Sequence, residues 1–201
     1  MVLKKLLSKK NLLLLVFVVI IVMGAIILMG WWPVATVNGS VITFAQFSKK
    51  YDIAVHFYQS ELKLGQKDAS LLNTEKAKAE MRQVVLESII ESKLIDGELK
   101  KQLSDSDLVF MINEKINKVD LSSENFKKGA EILYGLSSDD FRELILAPKA
   151  KEEILQGRLF LEDNSQTSGM DNWLKEEKIK TKVSIFIPGL YWSKDGVSLK
   201  K

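Results

Sequence analysis

The chain has 201 residues, a net charge of +3 and no cysteine, and these facts exclude several kinds of protein. The charge comes from four lysines in the first ten residues. Beyond them 25 basic and 26 acidic residues remain, so no electrostatic surface for nucleic acid is expected. Without cysteine there is no disulfide and no lipid-modified N-terminal cysteine, and a single histidine argues against a nitrogen- or sulfur-rich metal site. We therefore expect one domain of ordinary size that needs no cofactor.

The first feature along the chain is an apolar segment. From Leu12 to Met29, eighteen consecutive residues carry no charged or polar side chain. As a helix this run is about 27 Å long, close to the ~30 Å hydrocarbon core of a bilayer. Trp31 and Trp32 follow, where indole rings would meet the lipid headgroups. Lysines precede the run at positions 4, 5, 9 and 10.

This pattern predicts a single-pass protein of the cell membrane with its N-terminus in the cytoplasm. The predicted parts are a basic cytoplasmic tail (residues 1–11), a transmembrane anchor in the lipid bilayer (12–32) and an extracytoplasmic, periplasmic-type domain (33–201). The alternative is a cleaved signal peptide, whose basic start would look the same. Against it, a cleavable apolar region is usually shorter, and the best cleavage site, ending at Ala35, has Pro33 where a small residue belongs.

The domain is expected to open with a short strand or hairpin, because Val37 and Val41 flank the turn dipeptide Asn38-Gly39. Thr43 can cap the helix that follows. That helix has an apolar stripe at spacings of three and four: Phe44, Phe47, Tyr51, Ala54, Val55, Tyr58 and Leu62.

The segment from Thr74 to Leu103 is the longest predicted helix, and it is apolar on two nearly opposite faces. One face carries Ile89 and its neighbours at helical spacing, and the other carries Leu86, Ile90 and Leu94. Such a helix normally packs between two other elements, so we expect it at the centre of the domain. Gly97 predicts a bend or an early end.

Three shorter helices are predicted after position 103, each with a serine that can cap its first turn: Ser104, Ser122 or Ser123, and Ser137. Pro148 should break or kink the third of these helices, with Ala147 biased away from helical geometry.

The C-terminal part begins with a polar linker over residues 162–169. One more helix should start near Met170. From Thr181 to Ile187 apolar and polar residues alternate, which predicts a half-buried strand. We expect this strand to pair near the opening strand and to bring the two ends of the domain together.

No residue pattern indicates catalysis. His56 is the single histidine, and a lone histidine on a helix usually serves packing or lies at the surface. The acidic pairs Asp139-Asp140 and Glu152-Glu153 lie at a helix start or on a solvated face. Nucleophile-elbow and phosphate-binding motifs are absent from the sequence. We therefore predict that the protein is not an enzyme.

Large apolar side chains are the remaining candidates for function. Most such residues belong to a core, but helices with more apolar surface than their neighbours cover often leave a peptide-binding groove. The candidate peptide-binding residues are Phe57, Tyr58, Phe110, Met111, Trp173, Phe186, Tyr191 and Trp192.

The order of these segments resembles the SurA-type chaperones and the related PrsA and PpiD foldases. Val34–Thr43, with Phe47 after it, is similar to the "V-x-x-V-N-G-x-x-I-t" segment before their first helix. Met81–Ile95 resembles their second block, and Leu136–Glu143 resembles their "Gly-Leu-x-x-x-Asp-Phe-Arg" block. The region from Trp173 to Ile185 resembles the helix and strand that return to close their core.

The resemblance implies a mainly α-helical SurA-like core closed by a short β pairing of its N- and C-terminal segments. In those families a parvulin prolyl-isomerase domain usually stands where this chain has only residues 162–169, and parvulin histidines are missing, so no catalytic residue is implied. The implied function is an ATP-independent, membrane-anchored chaperone for protein folding that binds unfolded or newly translocated polypeptides. The alternative is a membrane-anchored scaffold or adaptor that binds one folded partner.

Overall fold

The structure, a computed structural model, describes residues 9–162 and 169–200. These residues are mainly helical, with two small antiparallel sheets. The helices are α1 (Lys9–Leu28), α2 (Phe44–Leu64), α3 (Glu75–Gln102), α4 (Asp105–Ile116), α5 (Glu124–Tyr134), α6 (Ser138–Phe141), α7 (Ala147–Glu162) and α8 (Met170–Lys180), with a 3₁₀ turn at Ala69–Asn73 and a π-helical segment at Arg142–Leu146. The strands are β1 (Pro33–Val37), β2 (Ser40–Thr43), β3 (Val183–Ile185), β4 (Leu190–Ser193) and β5 (Gly196–Leu199).

The two ends of the domain meet in the sheet β2-β1-β3. Asn38 and Gly39 have φ angles of 49° and 85°, the left-handed geometry that a two-residue hairpin turn requires, and they join β1 to β2. On its other side β1 pairs antiparallel with β3, with Ala35 opposite Ile185. The predicted hairpin and the predicted pairing of the chain ends are both confirmed.

The predicted helix starts are also confirmed. Thr43 and Gln46 form a reciprocal capping box at the start of α2. The hydroxyls of Ser104, Ser123 and Ser137 accept hydrogen bonds from the first turns of α4, α5 and α6.

Helix α3 is the central helix of the domain, as its two apolar faces predict, and it contributes to both core clusters. Leu86 and Ile90 are fully buried in the first cluster, beneath the sheets and α2. Leu99 is fully buried in the second, against α4 and α7, where it meets the equally buried Leu155. The helix neither bends out of helical geometry nor ends at Gly97, because the packing on both sides outweighs the ~1 kcal/mol cost of glycine there.

Of the predicted break or kink at Pro148, the break is wrong. Helical geometry continues through Ala147, with φ −64° and ψ −45°, and Pro148 lies in the first turn of α7. The π-helical segment Arg142–Leu146 precedes it, and the wider turn accommodates the proline without ending the helix.

A second hairpin, β4–β5, follows β3 and was not predicted. Its backbone docks on α3: Gln83 Nε2 donates to the Val197 carbonyl at 2.7 Å, and the Val197 N–H donates to the Glu87 carboxylate. Leu190 and Val197 enter the first core cluster. The C-terminal residues are therefore part of the folded domain.

Helix α1 is joined closely to α2. The Gly30 carbonyl accepts from Ala45 N–H at 2.9 Å, and the Trp32 carbonyl accepts from Phe44 N–H at 2.9 Å. The Trp32 ring stacks on Phe44 and packs against the first core cluster, so of the two indoles expected at headgroup level only Trp31 is exposed.

Across the described residues, the structure contains no helix that combines the length and the apolar character needed to cross a membrane. Most of the predicted tail (1–11) and of the predicted linker (162–169) lies outside the described residues.

Candidate functional site

A groove runs between α2 and α3 and past the π-helical segment to the start of α8. It consists of a wide compartment of about 680 Å³ and a narrow compartment of about 250 Å³. Lys50, Ser88 and Ile145 line both compartments, so the two form one continuous cleft.

The narrow compartment is apolar and aromatic. Phe57 stacks on Tyr134 with ring centroids 4.9 Å apart, and Tyr58 meets the edge of Phe57 at 5.6 Å. Tyr58 remains 44% exposed at the entrance. Ile53 and Val85 line the compartment from α2 and α3. The compartment can therefore accept one large apolar side chain, since it is smaller than the about 300 Å³ at which small-molecule sites begin.

The wide compartment is mixed in character. Ile95 and Leu174 supply apolar surface, while Ser88 and Ser92 supply hydroxyls. Its carboxylates come from three elements, and two of them are already ion-paired: Glu91 with Lys178 at 2.6 Å and Glu152 with Lys149 at 3.0 Å. The third is Asp171, in the first turn of α8. Such a surface suits a polypeptide backbone with varied side chains better than one compact ligand.

The π-helical segment forms the wall that the two compartments share, and its backbone is irregular. In a regular α-helix the Leu144 carbonyl would accept from residue 148, but Pro148 has no N–H. Lys50 Nζ donates to this carbonyl at 2.5 Å from across the groove. Burial lowers the pKa of Lys50 below the usual lysine value. The contact places a positive charge at the junction of the compartments.

The flank of α3 that faces α8 and β5, here the C-terminal flank, has its charges paired. Lys178 Nζ, on α8, lies 2.5 Å from Glu87 Oε1 and 2.6 Å from Glu91 Oε1. The other Glu87 oxygen accepts from Val197 N–H. Gly196 has φ +119°, and a Cβ there would overlap the Glu87 carboxylate, so glycine is required at this contact. One carboxylate thus joins α3 to both α8 and β5.

The candidate peptide-binding residues fall into three groups. Phe57 and Tyr58 line the groove. Phe110, Phe186 and Tyr191 are exposed, at 65%, 55% and 44%, but line neither compartment.

The third group belongs to the cores. Trp192 packs against the first cluster, Met111 against the second, and Trp173 against both. These three side chains stabilise the fold and line neither compartment, since each lies on a helix or strand face turned toward a buried cluster.

Sequence reasoning missed Lys50, Ser88 and Ile145. A signal for Lys50 exists: it precedes Ala54 and Phe57 by four and seven residues, so it shares their helix face. The proline at position 148 gives a second signal, because it leaves the carbonyl four residues earlier without its usual donor.

The residues considered for catalysis have structural partners. His56 Nε2 lies 3.2 Å from the Ile132 carbonyl, and its ring packs against Gly135. Asp140 pairs with Lys49 at 3.2 Å. Over residues 9–162 and 169–200 no group of histidine and acidic side chains is arranged to hold a metal ion.

The protein is thus a helical domain whose core is covered by short β-strands and whose open groove ends in an aromatic compartment. A model of the SurA-like N-terminal domain matches residues 3–129, which is more than half of the chain, and the protein belongs to this family. The match includes α2 and α3, the two helices between which the groove begins. No curated protein and no solved structure matches the chain.

Proposed function

We propose that this protein is a membrane-anchored, ATP-independent chaperone that binds unfolded or newly translocated polypeptides on the extracytoplasmic side of a cell membrane. The observation that carries the proposal is the continuous groove of a SurA-like domain, with an aromatic compartment at one end and a mixed compartment at the other. The groove is open to solvent and contains polar and apolar surface side by side, as a binder of varied segments needs.

The proposed mechanism is transient burial of a client's apolar side chain between α2 and α3. Burial of apolar surface is non-directional, so many sequences can be held with similar affinity. A dissociation constant near 1 μM corresponds to about −8 kcal/mol, weak enough for release without nucleotide. Client folding then buries the same side chain and ends the contact.

The anchoring part of the proposal is supported by the sequence of residues 12–32 and by the lysines before it. Tethering raises the effective concentration of the groove for polypeptides that emerge nearby. The hydrogen bonds of Gly30 and Trp32 to α2 leave no free linker between α1 and the domain. We include no catalytic step and no cofactor in the proposal.

The chaperone activity can be tested with the full chain in lipid nanodiscs. Light scattering of two unrelated aggregating clients is followed without nucleotide, with the wild type and two matched variants. Tyr58→Asp places a carboxylate at the narrow compartment, whereas Phe110→Asp changes an exposed aromatic residue outside the groove. We expect wild type and Phe110→Asp to suppress aggregation near stoichiometric ratios. Tyr58→Asp should be about threefold weaker or worse, because a carboxylate beside apolar surface is costly to desolvate.

A scaffold function is the alternative, and the exposed aromatic residues outside the groove favour it. Phe186 and Tyr191 lie beside the C-terminal strands with about half of each side chain exposed. A scaffold would bind one folded membrane partner at fixed stoichiometry and would lose it on Phe186→Asp. Absence of suppression by a folded wild-type chain would contradict the chaperone proposal and favour this alternative.

The proposed topology can be tested because the chain has no natural cysteine. Single cysteines at Ser8 and Ser122 would be labelled in intact cells or spheroplasts with a membrane-impermeant maleimide. The proposal expects labelling at position 122 and none at position 8. Labelling at neither position, or release of the protein by alkaline washing of the membranes, would contradict the anchor.

A further inference from the structure

Among the described residues, the charge at the centre of the groove has no counter-ion. Lys50 Nζ donates to the Leu144 carbonyl, and within the described residues no carboxylate lies at ion-pairing distance from it. Of the three groove carboxylates, Glu91 and Glu152 are engaged by other lysines, and Asp171 lies at the α8 end of the wide compartment. A half-buried ammonium whose described partner is a neutral carbonyl is a favourable site for an anionic group.

The position of Lys50 restricts which anions fit. It lines both compartments, with Ser88 opposite it on α3, so an anion there can accept from an ammonium and a hydroxyl. The aromatic compartment of Phe57, Tyr58 and Tyr134 begins directly beside it. A ligand that satisfies both features carries a carboxylate next to a large apolar side chain.

We propose that the groove selects polypeptide segments in which a carboxylate adjoins a large apolar residue, with the carboxylate bound by Lys50 and the apolar side chain in the narrow compartment. This inference rests on the proposed chaperone function and names the class of segment that the groove prefers. The carboxylate belongs to an aspartate or glutamate side chain or to the C-terminus of a chain, since both present the same acceptor oxygens.

The chain offers a matched pair of lysines for the test. Lys49 neighbours Lys50 on α2, but it points to Asp140 and is half exposed. Lys50→Met and Lys49→Met therefore remove the same charge from the same helix, one inside the groove and one outside it. Lys50→Gln provides a second groove variant if the methionine variant does not fold.

The measurement is fluorescence anisotropy of labelled nonapeptides with the full chain in nanodiscs of neutral lipid. Three peptides differ only in the residue after a central phenylalanine: aspartate, asparagine or lysine. Two more end in phenylalanine with a free or an amidated C-terminus. For the wild type and Lys49→Met we expect the aspartate peptide to bind about fivefold to tenfold more tightly than the asparagine peptide, with the lysine peptide weakest. Lys50→Met should bind the aspartate and asparagine peptides equally.

Each outcome has a defined meaning. Preference for internal aspartate assigns the carboxylate to a side chain, preference for the free C-terminus assigns it to the chain end, and either supports the inference if Lys50→Met abolishes it. Equal binding of all peptides, or a preference that survives in Lys50→Met, overturns the inference and leaves the chaperone proposal standing. Binding of no peptide by the folded wild type overturns both.

Discussion

A partly buried lysine lies on each of two flanks of α3, and the two lysines differ in their partners. On the C-terminal flank Lys178 lies between Glu87 and Glu91, and the Glu87 carboxylate also holds the backbone of β5. On the groove flank the ammonium of Lys50 donates to one backbone carbonyl among the described residues. On the first flank two carboxylates compensate the lysine, whereas on the second the described partner of the lysine is a neutral carbonyl.

The pKa values of Lys178 and Lys50 shift in opposite directions, in agreement with this difference in partners. Burial lowers the pKa of Lys178, but hydrogen bonds to Glu87 and Glu91 outweigh burial and raise it above the usual lysine value. Burial acts alone on Lys50, and its pKa is lowered. The charge of Lys178 stabilises the fold because two carboxylates compensate it. The charge of Lys50, which we propose binds a ligand carboxylate, is partly desolvated and, among the described residues, uncompensated in the free protein.

The largest effect is expected for Glu87→Ala on the C-terminal flank. The change leaves Val197 N–H without its acceptor and removes one of the two carboxylates at Lys178. We expect a loss of about 3 kcal/mol in the free energy of unfolding, measured by urea denaturation of a fragment from Gly30 to Lys201. Glu98→Ala is the control. Glu98 is equally buried on α3, and its partners among the described residues, Lys101 and Gln102, belong to the same helix, so the loss should stay below about 1 kcal/mol. Equal losses would show that the hairpin contact adds nothing.

Lys178→Met should cost somewhat less, about 2 kcal/mol, because Glu87 keeps its bond to Val197. The raised pKa of Lys178 determines the pH range over which this stabilisation is present. The stabilisation is fully present below the unfolded-state pKa of 10.5 and is lost only as pH rises through the higher folded-state pKa. Urea denaturation of wild type and variant should therefore give a constant difference from neutral pH to about pH 10. A difference that disappears near neutral pH would contradict the assigned ion pairs.

Gly135→Ala tests the end of α5, which lies beside the aromatic compartment of the groove. Gly135 ends α5 with φ +66°, and an added Cβ would lie 3.2 Å from the His56 ring. We expect a loss of about 1–2 kcal/mol by the same urea measurement. Gly129→Ala in the interior of α5 meets open space, so it should instead stabilise the protein by about 0.5–1 kcal/mol. The same sign for both changes would contradict this account of the helix end.

The smallest effect on stability is expected for Lys50→Met. Removal of an unpaired, half-buried charge stabilises the fold, while loss of the bond to Leu144 destabilises it, so the net change should stay within about 1 kcal/mol. The lowered pKa gives the direction of the pH effect. As pH rises from the folded-state pKa toward 10.5, the unfolded state retains more protons, and wild type should gain stability relative to the variant. A wild type that loses stability relative to the variant over this range would show that Lys50 is compensated.

Features set by neighbouring residues could be predicted from the sequence. The caps at Thr43, Ser104 and Ser137 depend on an oxygen reaching an N–H within three residues, and all three form as expected. The pairing of β1 with β3 could be predicted from the alternation after Thr181 and from the turn at Asn38-Gly39. Phe57 and Tyr58 could be named as candidates because they are large aromatic side chains on a predicted helix.

Features set by tertiary contacts could not be predicted in the same way. Lys50 reaches a carbonyl that is 94 residues away in the chain, and its role follows from Pro148 rather than from its own neighbours. The hairpin β4–β5 depends on Gln83 and Glu87 of α3 for its backbone partners. Trp192 was predicted as a peptide-binding residue because that hairpin was not anticipated, and its partial burial follows from the docking.

The pairing of β1 with β3 has a consequence for synthesis of the protein. Strand β1 is made early, but its partner β3 follows about 150 residues later, on the order of 10 s at usual rates of translation. During that interval Val34 and Val37, which are buried in the finished domain, have no β3 beside them. A protein proposed to bind unfolded chains is thus itself incompletely folded until β3 has emerged.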